Sequence, residues 1–285
     1  MLKRLLGAIL LFVCVLSLYV SLPTKTVSAG SNAEIVGDVP WLLSAIEDNN
    51  AKIYESSLGS AVADAVRISL KSDVAIVCGG ELAYGLLPGG ITYDEIKSAF
   101  TKDSKIAAAS LTVKDLRQIL ERGLANLTLN DSEGVDEKLS AFDGFPQISG
   151  FKLYYDVSAP PGKRVYKIVI RGESVDLDSE TYTLTLGSTL GMLKGEYGHP
   201  PVDDIKESDL TLSEAMLAYI VNGLNEYSPS ERRMHMRGIN DGGLSAYIPK
   251  TIFPVIMIVF LVAHFTKSRR EREIEMEIRQ EAPWY

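Results

Sequence analysis

Nucleophiles and metal ligands are scarce in this chain. It has two cysteines, Cys14 and Cys78, and three histidines, His199, His235 and His264. No histidine stands in an H-x-x-x-H or D-x-H spacing, so a metallohydrolase centre would have to be built almost wholly from carboxylates. Cys14 lies in an apolar leader and Cys78 stands alone, which excludes a disulfide framework and a cysteine-rich zinc site in the body. Nothing near Cys78 in sequence lowers its pKa, so it reads as a small buried hydrophobe. Gly79-Gly80 could cradle a ligand with backbone N–H groups, although a strand entering a tight loop demands glycine there as well. Phe145 could stack on a planar ligand or simply close a core. Arg232, Arg233 and Arg237 with His235 form the one basic cluster of the body, read as a solvated face near a membrane.

Charge narrows the classes further. The 285 residues carry 29 basic and 37 acidic side chains, with 46% hydrophobic residues and a mean hydropathy of +0.07. That composition excludes disordered and low-complexity chains. Removing the three basic residues before position 30 and the six basic and five acidic residues after 247 leaves 20 basic against 32 acidic in the body, a net of -12. Phosphate neutralisation requires the opposite sign, so nucleic acid is set aside as a partner.

Both ends point to a membrane. Lys3-Arg4, the apolar run from Leu5 to Val20 and Val27-Ser28-Ala29 fit a signal peptide over 1–29, cut after Ala29, with an uncleaved anchor as the alternative. Residues 248–266 form a second apolar stretch of bilayer-spanning length, followed at once by Lys267, Arg269, Arg270 and Arg272. The expected organisation is an extracytoplasmic domain over 30–247, a transmembrane helix over 248–266 and a cytoplasmic tail over 267–285. A single pass is expected, or two if the leader stays.

Within the body, helix and strand signals alternate. Leu58, Ala61, Val62, Ala65 and Val66 recur at helical spacing behind Ser56 and Ser57. Asp73-Val-Ala-Ile-Val-Cys78 reads as a buried strand. Thr92 with Glu95, Thr112 with Asp115 and Thr211 with Glu214 have capping-box spacing, and the second of these helices is expected to stop at Gly123. Lys105 to Ser110, Phe151 to Val157, Arg164 to Arg171 and Thr181 to Gly187 read as strands, punctuated by Pro160-Pro161-Gly162 and Asp176-Leu-Asp-Ser. Early βα units and later consecutive strands predict an α/β (α+β) domain, a mixed β-sheet packed with helices.

The order of several segments is more specific than any one of them. Glu55-Ser-Ser-Leu-Gly-Ser-Ala-Val-Ala-Asp-Ala-Val-Arg67, Asp73 to Gly80, Leu87-Pro-Gly-Gly-Ile-Thr-Tyr93 and Phe145-Pro-Gln-Ile-Ser-Gly150 with Tyr154 to Val165 together resemble the C-terminal domain of the 5'-nucleotidase family. The resemblance implies a domain that binds the base and sugar of a nucleotide, while a separate N-terminal metallophosphoesterase domain holds two metal ions that activate water. The family's Asp-x-His, Gly-Asn-His and Gly-His-x-His motifs are missing, and the stretch from Ala29 to Glu55 is too short for that domain. Catalysis by this polypeptide alone is therefore not expected, and no cofactor, metal ligand or catalytic residue is assigned.

Carried over residue by residue, the resemblance implies a substrate-binding set of Gly79, Gly80, Phe145 and Glu196, and shows what has changed around it. The family's Gly-Gly-Gly-x-Arg loop reads Gly79-Gly80-Glu81-Leu82-Ala83, with a carboxylate added and the arginine lost. Phe145 matches one of two stacking rings, a contact worth about 1 to 3 kcal/mol per base. The second falls near Thr189. Gly-Gly-Asp-Gly-Phe corresponds to Leu193-Lys194-Gly195-Glu196-Tyr197, and Pro-Phe-Gly-Asn to about Thr101-Lys-Asp-Ser104. The leading expectation is a membrane-anchored binding or scaffold module. The alternatives are a substrate-binding subunit in nucleotide hydrolysis, with a metallophosphoesterase supplied in trans, and a purely structural surface protein. Partners left open are the membrane, a separately encoded metallophosphoesterase, and a nucleoside or nucleotide.

Overall fold

The computed structural model describes residues 34–45, 51–131, 134–225, 227–228 and 231–239. The expected leader, membrane span and cytoplasmic tail lie outside these residues. Among the described residues no helix is long and apolar enough to cross a membrane. The chain divides into two compact units, Met1–Ile35 and Val36–Tyr285, and the fold below is that of the second.

Its organising element is a strand with no polar face. β2 (Val74–Cys78) is buried at all five positions. Successive side chains of a strand point to opposite faces, and here each face has a core of its own. Val74, Ile76 and Cys78 belong to one apolar cluster, Ala75 and Val77 to the other. A strand covered on both sides must be apolar throughout, which is why its sequence shows a continuous run instead of alternation. β2 lies in a five-stranded sheet of order β10-β4-β9-β2-β5, with β4 at Lys105–Thr112, β5 at Pro146–Ser149, β9 at Thr183–Thr189 and β10 at Lys206–Thr211. Only the β2–β9 pair is parallel.

Helices cover this sheet. On one side lies α1 (Ser57–Leu70), which begins where Ser56 Oγ accepts from Gly59 N at 3.0 Å and ends at Lys71 in the left-handed region. The same core takes in α2 (Tyr93–Ser98) and a late helix, Leu212–Val221, while α3 (Val113–Leu124) packs into the other core. All three capping boxes form as their spacing predicts, at Thr92/Glu95, Thr112/Asp115 and Thr211/Glu214. α3 does not stop at Gly123. It continues to Leu124, and a Cβ on Gly123 would lie 2.8 Å from Pro146 Cδ, so the glycine permits close packing against β5.

The later strands do not all join the first sheet. β6 (Phe151–Asp156), β7 (Val165–Ile170), β8 (Glu173–Ser174) and β11 (Met234–Arg237) form a second one, of order β11-β6-β7-β8. A third sheet pairs β1 (Ile35–Val39) with β3 (Gly89–Thr92). Gly150 carries the chain from β5 in the first sheet to β6 in the second. Its φ is +85°, and a Cβ there would stand 2.4 Å from Asp73 O. β6 alternates, with Phe151, Leu153 and Tyr155 buried and Lys152, Tyr154 and Asp156 turned partly outward. The α/β class and the helix-covered mixed sheet therefore hold, with the strands divided among separate sheets.

The basic cluster that looked solvated in the sequence is so only in part: Arg232 and Arg237 are exposed, and Arg233, just before β11, is not. Arg233 is buried and paired with Asp64, while Arg237 pairs with Asp156 at 2.9 Å and lies over the Tyr166 ring.

Candidate functional site

At the C-terminal end of β2 the chain turns at once through a 3-10 segment, Gly79–Glu81. Gly79 N donates to Phe145 O at 2.8 Å and Gly80 N to Asp143 O at 2.7 Å. These bonds hold the 143–145 loop against the turn, where a Cβ on Gly80 would lie 2.5 Å from Asp143 Cβ, and the separate segment 51–52 comes so close that one on Gly79 would lie 2.0 Å from Ala51 O. The paired glycines are thus demanded by close backbone approach, and their N–H groups are already occupied.

Glu81 then turns inward. It is 0% exposed, accepts from Ser104 Oγ at 2.9 Å and Thr189 Oγ1 at 3.3 Å, and has Lys102 Nζ 3.9 Å away. Its backbone is fixed too, because Thr101 N donates to Glu81 O and Thr101 Oγ1 to Gly80 O. Lys102 is clasped on its other side by Glu196, whose carboxylate lies against Gly191, and its ammonium stands 5.7 Å from the centroid of the Tyr197 ring. Segments 78–81, 101–104, 143–145 and 189–197 therefore meet at one end of the first sheet, centred on a Glu81–Lys102–Glu196 row.

Burial pushes the Glu81 carboxyl above its ordinary range, with Glu196 reinforcing the shift and Ser104 and Lys102 opposing it. The hydrogen bond to Glu196 raises Lys102, which keeps it charged. Burial drives the Cys78 thiol well up, with Glu81 and Glu196 adding to the effect, so it is no nucleophile. His199 is held down by burial, and Arg122 adds to this. Its Nε2 lies 3.0 Å from Gly144 O, and since a carbonyl only accepts, that nitrogen carries the proton. Arg122 walls this side, its guanidinium over the Phe142 ring and its Nη2 donating to Tyr197 O at 2.8 Å. Among the described residues no group of three or more His, Cys, Asp or Glu is placed to hold a metal ion. Of this row only Lys102 and Glu196 keep contact with solvent, so a polar ligand would meet those two.

Of the residues named from the sequence, Gly79, Gly80 and Glu196 lie at this convergence. Phe145 reaches it only through its backbone carbonyl, since its ring is 1% exposed and part of a core cluster. Sequence reasoning missed Lys102. The available signal was its place in the segment that stands where the family has Pro-Phe-Gly-Asn.

Residues 35–199, more than half of the chain, match the model of the 5'-nucleotidase C-terminal domain. The chain belongs to this family. As a 5'-nucleotidase C-terminal domain it is similar to two Bacillus subtilis proteins. It is 26% identical over 150 residues to the trifunctional nucleotide phosphoesterase protein YfkN, covering 50% of this chain and 10% of that one. Identity to endonuclease YhcR is 25% over 176 residues, 62% of this chain and 13% of that protein. The chain thus spans about a tenth of the length of these relatives. Its fold resembles that of the 5'-nucleotidase precursor from Thermus thermophilus, with a TM-score of 0.61 at 19% identity, covering 73% of this chain and 40% of that one.

The buried row also makes a prediction about pH. A carboxyl whose folded pKa lies above its unfolded value near 4.5 stabilises the fold below that value, and the contribution is lost as pH rises through the folded pKa. Glu81→Gln should therefore gain stability relative to the wild type between about pH 4.5 and pH 7 in urea denaturation. Glu55, raised by its own burial, acts with the same sign in both proteins and leaves the difference intact. A difference that stays flat or shrinks with pH would contradict a raised Glu81.

Proposed function

We propose that this chain is the substrate-side module of an extracytoplasmic nucleotide hydrolase, working with a metallophosphoesterase carried by another polypeptide. The observation that carries this reading is the meeting of Gly79–Glu81, Lys102 and Glu196, all inside the family match, at one end of the first sheet. The nucleotide phosphoesterase named among the relatives supports the substrate class. Catalytic metal ligands belong to the partner in this reading, Glu196 and Lys102 meet the nucleoside, and the buried Gly79 and Gly80 set the turn that places Glu81 beneath them. Phe145 supports the turn from below. The body over 30–247 lies outside the cytoplasm, held by the apolar stretch at 248–266 behind a leader at 1–29.

The test is reconstitution. The full chain is added to a lone metallophosphoesterase domain with manganese, and AMP hydrolysis is followed. The chain should lower KM by about tenfold, an effect on substrate binding, and Lys102→Ala should abolish the gain. No change in KM at saturating chain, or a gain untouched by Lys102→Ala, would sink the proposal.

A second reading, a scaffold that holds no small molecule, is favoured by one observation. The Glu81 carboxylate is wholly buried among Ser104, Thr189 and Lys102, and Phe145 belongs to the core. Under that reading nucleosides would not raise the thermal midpoint of the chain at any concentration.

A further inference from the structure

A cavity lies at the other end of β2. It measures about 550 Å³ and lies where α1 ends, β5 bends into β6 and β7 turns towards β8. Its walls carry Arg67, Lys152, Lys167, Arg171 and Arg233, against two carboxylates, Asp64 and Glu231. This is a concentration of positive charge in a body where acids outnumber bases 32 to 20.

The carboxylates cancel it only in part, with Asp73 taking up Arg171 and Glu231 lying between Lys152 and Arg233 Nε at 3.7 and 3.9 Å. Asp64 is held by both terminal nitrogens of Arg233, at 2.9 and 2.8 Å, and these two neutralise each other. Glu231 stands 3.7 Å from Lys152, a distance at which an exposed pair is weak. Asp73, outside the lining, pairs with Arg171 at 2.6 Å. Arg67 Nε donates to Ser149 Oγ at 2.8 Å, which fixes its guanidinium at the edge of the cavity. Lys167 is paired with no carboxylate among the described residues, and its ammonium sits 5.0 Å from the centroid of the Tyr154 ring.

Tyr154 gives the cavity a flat aromatic side. Its ring is stacked on His235, centroids 4.3 Å apart and planes 10° from parallel. Burial, then Lys152 and Arg232, holds the His235 pKa down, as a positive field at this face requires. A cavity of this size takes a whole small molecule. Guanidinium forks and flexible ammonium groups together suit the oxygens of a phosphate.

We propose that this cavity is a second binding site, for a phosphate-bearing molecule whose anionic group is held by Lys152 and Lys167 beside the Tyr154 ring. The site is separated from the Glu81–Lys102–Glu196 row by the length of β2 and does not depend on what that row binds. A soluble phosphate ester and an anionic lipid headgroup present the same chemistry, and two arms of one experiment separate them.

In the first arm, the full chain in neutral detergent is titrated calorimetrically with inorganic pyrophosphate. In the second, the chain is floated with phosphatidylglycerol or phosphatidylcholine vesicles. Lys152→Ala with Lys167→Ala is compared with Lys114→Ala, a surface change elsewhere. Lys167 is exposed and Lys152 keeps 44% of its side chain in solvent, so folding is preserved in the double variant, and an unchanged thermal midpoint checks this. The expected result is pyrophosphate binding that weakens with added salt and falls about tenfold or more in the double variant alone. Phosphatidylglycerol binding lost in the same variant assigns a lipid headgroup. Vesicle binding equal in both proteins, together with pyrophosphate binding that the double variant weakens, assigns a soluble ligand. No pyrophosphate binding together with variant-insensitive flotation, or pyrophosphate binding indifferent to the two lysines, overturns the site.

Discussion

Replacing Arg233 by alanine should destabilise the domain by about 3 to 5 kcal/mol, because it leaves a charge buried without its partner. The Arg233 side chain is 7% exposed and that of Asp64 2%. Beyond the two-pronged ion pair, Arg233 Nη1 donates to Ser60 O at 3.2 Å and Ile148 O at 3.1 Å. The backbone N–H groups of Arg233 and Met234 both donate to Glu55. One side chain therefore ties β11 to α1 and to β5. In a domain of this size the loss corresponds to a fall in thermal midpoint of roughly 10 °C. Asp64→Leu with Arg233→Met, which removes both charges and keeps the volume apolar, should recover most of it. Chemical denaturation of the three proteins decides the matter. A single variant within about 1 kcal/mol of the wild type would mean that Asp64 finds another partner or water.

Gly79→Ala should cost about 3 kcal/mol and disrupt the Glu81–Lys102–Glu196 row at the same time, since overpacking against fixed atoms forces the backbone to move. The added Cβ would meet Ala51 O at 2.0 Å, Ala51 C at 2.6 Å and Lys52 N at 3.0 Å. All three are backbone atoms, so no rotamer change relieves the overlap. Moving the turn breaks the Gly79–Phe145 and Gly80–Asp143 bonds and carries Glu81 away from Ser104 and Thr189. Gly134→Ala is the control. Its Cβ would have Asn130 Nδ2 as its nearest neighbour at 3.4 Å, an ordinary contact, and a cost of about 0.5 kcal/mol or less is expected. Equal stability of the two variants would show that the 51–52 segment yields easily.

Much of the fold was legible because its signals are short. A threonine three residues before a carboxylate caps a helix through contacts within one turn, and all three such pairs formed. The apolar run of β2 announced a strand buried on both faces. β10 was not legible, since its Lys-Glu-Ser-Asp-Leu-Thr sequence has no apolar alternation and it joins the sheet through a single neighbour, β4. Gly123 misled because helix ends and tight helix packing both select glycine.

The candidate site divides in the same way. Gly79, Gly80 and Glu196 could be named from the order of motifs, and the loss of an arginine at Ala83 could be read directly. The function of Glu81 could not, because a carboxylate is costly to bury and only its partners decide whether it turns in or out. Those partners, Ser104 and Thr189, come from distant loops.

By itself, then, the sequence determined the class of the fold, the starts of four helices, its buried central strand and its family. Those properties rest on side-chain periodicity and on contacts within a few residues. Tertiary structure alone decided which charges meet. Lys102 finds Glu196 94 positions away, Arg233 finds Asp64 across 169, and the cationic cavity draws its walls from residues 64 to 233. A charged side chain carries no record of its partner in its neighbours along the chain, and its role is set only when packing has excluded water and fixed what lies opposite.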